Sequence, residues 1–93
     1  MDNGQLLQKV KTDLRIDFDD LDADISDNIA AAQQDLQTAG VKSAVEVTDE
    51  LTLRAIKLYC RWQYNFDGRA EQYENAYNKL KITLALSGEH SER

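Results

Sequence analysis

With 93 residues, 42% hydrophobic and 30% charged, the chain has room for one domain and one modest core. A domain of this size buries only about 60–65% of its unfolded surface, so contacts with other molecules are expected to supply part of its stability. The single cysteine, Cys60, excludes an internal disulfide and fits a reducing compartment. No stretch approaches the ~20 apolar residues of a membrane span, and the opening MDNGQLLQKV has no signal-like apolar run. A soluble protein made in the cytoplasm, with no membrane partner, is expected.

The net charge of −6 is unevenly placed: residues 1–50 carry −8 and residues 51–93 carry +2. The acidic half repels bare nucleic acid. The polarity suits head-to-tail self-association, in which an acidic face meets a basic one. The plain alternative is solubility with no partner implied.

The chain has no proline, and the fold class read from its periodicity is all-α, a small bundle of about four helices in a single domain. A first helix is expected at about 5–14, with Leu6, Leu7, Val10 and Leu14 on one face and Ile16 and Phe18 anchoring the following turn. A second, at about 20–39, carries Leu21, Ile25, Ile29, Ala32 and Leu36 at helical spacing, and Gly40 stands where a left-handed cap would close it. The segment VKSAVEV that follows reads as a loop or short extended piece. Thr48 is the expected cap of a third helix at about 49–65, with Asp49 and Glu50 in its first turn. That helix is apolar on several sides, which places it centrally. Asn65-Phe66-Asp67-Gly68 forms a turn with Asp67 as the cap of a fourth helix at about 68–87, whose buried face is Tyr73, Ala76, Tyr77, Leu80 and Leu84. Residues 88–93 read as a polar, mobile tail.

The densest chemical feature is RIDFDDLDADISD, in which every residue from Asp17 to Asp27 that ionises is an aspartate. A calcium loop starting at Asp17 requires an oxygen ligand where Leu21 stands, glycine where Asp22 stands and glutamate where Asn28 stands. The cluster instead reads as a helix start: Asp19 or Asp20 caps, Asp22 and Asp24 meet the positive end of the dipole, and Asp20, Asp24 and Asp27 form an outward acidic stripe. No catalytic, metal or cofactor-binding residues are expected. His90 lies in the tail, Cys60 reads as a buried inert thiol, and no phosphate-binding glycine loop is present. On the third helix Arg54, Lys57 and Arg61 share a face. They read either as the partner of the acidic stripe, within one chain or between neighbours, or, with Trp62, Tyr64 and Arg69, as a small nucleic-acid surface.

The order of LLQKVKTDLRIDFDDLDADISDNIAAAQQDLQTAG, LRAIKLYCRWQYNFD and YNKLKITLALSG resembles the small head–tail connector proteins of long-tailed bacteriophages, also called head-completion, adaptor or DNA-packaging proteins. The most telling pieces are LRID followed by acids, AAxxxLxxAG, and AIKLYCRWQY; LKITLALSG fits members from phages and prophages of Gram-positive hosts. The chain departs at Asp35-Leu36, where members often carry tyrosine. The resemblance implies a virion protein of the neck, a closed ring of about a dozen copies joined by a heterologous contact. It implies docking beneath the portal protein, a channel through which DNA passes without sequence-specific binding, and a stopper or tail-completion protein below. It also implies that the tail (Gly88, Glu89, His90, Ser91, Glu92 and Arg93) reaches the portal. Asp20, Asp24, Asp27, Arg54, Lys57 and Arg61 are the expected subunit contact. The alternatives are a small helical DNA-binding or regulatory protein using Arg54, Lys57, Arg61 and Arg69, and, third, a metal-dependent or thiol enzyme.

Overall fold

Asp2 opens the first helix: its carboxylate accepts the Gln5 amide while the Gln5 side chain accepts the Asp2 amide, a reciprocal cap for two end amides. The computed structural model describes residues 1–91. In it α1 (Asn3–Leu14), α2 (Asp22–Thr38), α3 (Glu50–Tyr64) and α4 (Ala70–Leu86) follow in order, with a 3-10 turn at Lys42–Ala44. The fold is all-α in one domain. α3 contacts each of the other three helices, the central position its many apolar residues call for. Leu53, Ala55, Ile56 and Cys60 of α3 are fully buried against Leu6 and Val10 of α1, Ile25, Ala32 and Leu36 of α2, and Tyr77 and Leu84 of α4. Each large aliphatic side chain removed from water in this way contributes about 1.5–3 kcal/mol.

Gly40 ends α2 as expected. Its φ of +96° lets the Gly40 amide reach the Gln37 carbonyl and the Val41 amide reach the Leu36 carbonyl, and Val41 and Leu36 are both fully buried. Arg15 performs the same reversal after α1 with φ +60°, although it has a side chain, and the Ile16 amide reaches back to the Lys11 carbonyl.

The helix starts differ from expectation. Asp49, not Thr48, caps α3 by accepting the Thr52 amide at 3.0 Å. Neither Asp19 nor Asp20 caps α2, which starts behind Leu21 without a side-chain bond. Asp19 and Asp22 are turned instead toward the Lys11 ammonium, at 2.9 and 2.8 Å, and two carboxylates around a nearly buried cation outweigh one contact with a helix end. Asp67 is not the residue that caps α4. It accepts the Arg69 amide, and Asn65 Oδ1 takes the first amide of the helix, Ala70, at 3.0 Å. Phe18 is the other departure: Ile16 anchors the α1–α2 turn in the core, whereas Phe18 is half exposed.

A methyl at position 40 meets no neighbour within 4 Å, so its cost is purely conformational. Gly40→Ala is expected to lower the unfolding free energy by about 1–2 kcal/mol, read from urea denaturation. A second expectation concerns alkali. Burial pushes the Cys60 thiol up to about 12 from 9.0, and burial together with the Asp35 carboxylate holds the Tyr77 phenol above its usual 10.0. Both groups bind their protons more tightly when folded, so their contribution is complete below about pH 9 and is lost as pH rises above it. The thermal midpoint, followed by circular dichroism, should be flat from neutrality to about pH 9 and then fall. Cys60→Ala should make that fall shallower.

Candidate assembly interface

Of the three cations expected on one face of α3, the structure separates Arg61 from the other two. Arg61 reaches across to α1 and grips Asp13 with two parallel bonds, Nε to Oδ2 at 2.7 Å and Nη2 to Oδ1 at 3.0 Å. Its remaining nitrogen donates to the Tyr73 hydroxyl at 3.2 Å, and that hydroxyl donates to Asp67 at 2.6 Å. The Asp13 bonds first, and the Tyr73 contact after them, raise the proton affinity of the guanidinium further. Arg61 therefore ties α1, α3 and α4 together inside one subunit. Its fork is already engaged by its own chain.

Arg54 and Lys57 form no ion pair among the described residues. They line a cleft with Leu51, Leu58 and Leu80, and Lys57 also borders a second cleft with Lys9 and Arg15 of α1 and its end. A third holds Arg15, Phe66 and Arg69. Asp13 and Arg61 border all three, so the clefts adjoin around one ion pair and make a continuous grooved face. Lys9 and Arg15 belong to this face but lie outside the stripe read from α3. Each sits on α1 or just past it, where only tertiary packing sets it beside Lys57.

The acidic stripe is divided in the same way. Asp24 accepts the Tyr64 hydroxyl at 2.5 Å, a bond that pins the start of α2 to the end of α3. Burial first, then that bond, raises the Tyr64 phenol to about 12. Asp20 and Asp27 are exposed and make no side-chain bond or ion pair among the described residues. Among the described residues no ion pair joins the acidic stripe to the basic one.

Within the segment expected as a mobile tail, His90 and Ser91 make contacts with the rest of the chain. Ser91 pairs with Val41 in an isolated antiparallel bridge, and the Ser43 amide donates to the His90 carbonyl. The His90 ring lies between Ser87 Oγ at 2.8 Å and Asp49 Oδ2 at 3.0 Å. Burial alone would raise the Asp49 carboxyl, but the Thr52 bonds and His90 outweigh it and hold it below the usual carboxylate range. Of the residues assigned to a portal-contacting tail, Gly88 and Glu89 are exposed, His90 and Ser91 face their own subunit, and Glu92 and Arg93 lie outside the described residues. Cys60 is fully buried, in an environment that opposes thiolate formation. Among the described residues no three His, Cys, Asp or Glu side chains gather as a metal site, and no helix is long and apolar enough to cross a membrane.

Arg61→Lys keeps the charge but loses the planar fork, so it tests the internal role directly. Because the guanidinium is about one-third exposed, solvent screening limits the effect, and a loss of about 1 kcal/mol is expected in urea unfolding. Arg54→Lys should change stability by less than about 0.5 kcal/mol in the same measurement.

Comparison with curated proteins and with solved structures found no match. The family described as phage connector protein matches residues 6–91, which covers α1 from Leu6 onward, the other three helices whole and the residues behind them up to Ser91. The chain belongs to the phage connector protein family.

Proposed function

We propose that this phage structural protein acts as a head–tail connector subunit, forming a closed ring beneath the portal, with a stopper or tail-completion protein below and DNA passing through the channel. Family membership carries the connector role, and the observation that supports the ring is the sorting of charge. Lys9, Arg15, Arg54 and Lys57 stand without an ion pair on the grooved face of α1 and α3, and Asp20, just before α2, and Asp27, on it, stand exposed without one among the described residues. A ring needs two different patches on each subunit, and these are two such patches of opposite sign. Asp20 and Asp27 of one copy meet Arg54 and Lys57 of the next, while Arg61 and Asp24 hold their own subunit together. Exposed pairs contribute only about 0–1 kcal/mol each, so their work is to select register and direction.

A DNA-binding role for the same cations is disfavoured by the company they keep. Asp13, Glu50 and Asp67 border the same clefts, and a polyanion lying there would meet carboxylates as well as cations. Docking of His90 onto Asp49 leaves Gly88 and Glu89 as the exposed part of the tail for the portal among the described residues.

The test is a charge exchange. Arg54→Glu with Lys57→Glu should abolish rings in electron micrographs and in sedimentation while leaving helicity unchanged. Adding Asp20→Lys and Asp27→Lys to the same chain should restore them, because each copy then carries both inverted patches. Rings from the first double variant would remove this pairing. A salt-dependent complex of the wild-type protein with duplex DNA would favour the DNA-binding role instead.

A further inference from the structure

Two phenylalanines stand out in water on a chain whose other large aromatics are at least partly buried: Phe18 is 50% exposed and Phe66 is 61% exposed. Both sit at the same end of the bundle. The Arg61–Asp13 and Tyr64–Asp24 contacts bring the end of α3 against the end of α1 and the start of α2, so the α1–α2 loop and the α3–α4 turn lie at one height. Their surroundings differ in sign. Phe18 lies within Asp17-Phe18-Asp19-Asp20, and Asp17 and Asp20 have no ion pair among the described residues. Phe66 lines a cleft with Leu14, Arg15, Arg69 and Tyr73, bordered also by the Arg61–Asp13 pair and Asp67; Arg15 and Arg69 have no ion pair among the described residues, and three arginines against two aspartates leave the cleft with a small positive excess. Phe18 does not line that cleft.

We propose that Phe18 of one copy inserts into the Phe66 cleft of the next, with Asp17 meeting Arg15 and Arg69. The proposal rests on the ring reading above and names the apolar anchor of that contact. Three observations select a second copy as the occupant. The acidic aromatic loop and the cationic aromatic cleft complement each other in charge and in chemistry. Each is exposed where it stands. Both lie at the same end of the subunit, the arrangement a cyclic assembly requires, because all copies of a ring stand at the same height and only a feature at matching height can be reached. Aromatic rings brought together in this way prefer offset or edge contacts, and such buried anchors dominate the energy of interfaces otherwise made of weak rim charges.

Phe18→Ala removes a half-exposed side chain and Phe66→Ala one that is 61% exposed with its ring 5.3 Å from that of Tyr64, so circular dichroism should be unchanged and the thermal midpoint nearly so. Each variant should raise the concentration for half-assembly by about tenfold or more, read by analytical ultracentrifugation. The two variants mixed in equal amounts provide the decisive reading. The knob of the Phe66→Ala chain still fits the cleft of the Phe18→Ala chain, but the return contact lacks both rings, so growth should stop at a pair. An independent check is the double variant Phe18→Cys with Phe66→Cys, which under mild oxidation should give a ladder of covalent oligomers, the native Cys60 being buried. Phe18→Ala assembling at wild-type concentrations, or a mixture that stays monomeric while the wild type assembles, would overturn the anchor and leave the ring standing. Wild-type protein that stays monomeric at every concentration would overturn both.

Discussion

The Lys11 ammonium sets the shape of this subunit's working end. Its side chain is only 6% exposed, and a cation so placed calls for a counter-charge. Asp19 and Asp22 close on it, and the bonds to Asp22 and then Asp19 hold its proton more firmly than usual. The consequence runs outward. Ile16 is anchored in the core and Asp19 is drawn back toward α1, and Phe18 between them stands half exposed.

Helical period carried most of the architecture. The α2 stripe of Ile25, Ile29, Ala32 and Leu36 is buried throughout, and α3 is central as its spread of apolar residues requires. Gly40 was readable because a positive φ at a helix end has few other solutions. Caps were less legible, for a physical reason. At each helix start several oxygen-bearing side chains stood within reach, and the choice among them depended on what else each could bind. Asp49 prevailed over Thr48 because its carboxylate serves Thr52 and His90 at once. Asp19 and Asp20 were drawn elsewhere or left free because the stronger attraction, Lys11, comes from another helix. The spacing Leu7, Lys11, Leu14 on the buried side of α1 was the available signal for that lysine, since a cation in an apolar stripe demands a counter-charge.

The candidate interface was legible as stripes and illegible as partners. Steps of three and four along α3 group Arg54, Lys57 and Arg61, but periodicity describes one helix and cannot register that Asp13 approaches from α1. Lys9, Arg15 and Arg69 join the basic face only through packing. The contact of His90 was illegible for a similar reason: a polar segment reads as unattached until the N-cap carboxylate of α3 presents this ring with a partner forty-one residues away.

What distinguishes this surface from an ordinary charged one is the division between charges already satisfied and charges left over. Arg61, Lys11, Asp13, Asp24, Asp35 and Asp49 are held by partners within the subunit, several of them part-buried and hydrogen-bonded. Removing any of them damages the fold first, and its effect on assembly cannot be separated from that damage. Arg54, Lys57, Arg15, Arg69, Asp17, Asp20 and Asp27 remain exposed or half-exposed and unpaired among the described residues, so a change there acts on contacts between molecules. A subunit whose leftover charges are all weak can dissociate and correct its register until every contact forms together. In the ring proposed above, closure would add a cooperativity that no single pair supplies, because the last subunit makes two contacts while losing the freedom of one body. Weak pairs for register and a few apolar anchors for affinity are the combination such an assembly of small domains calls for.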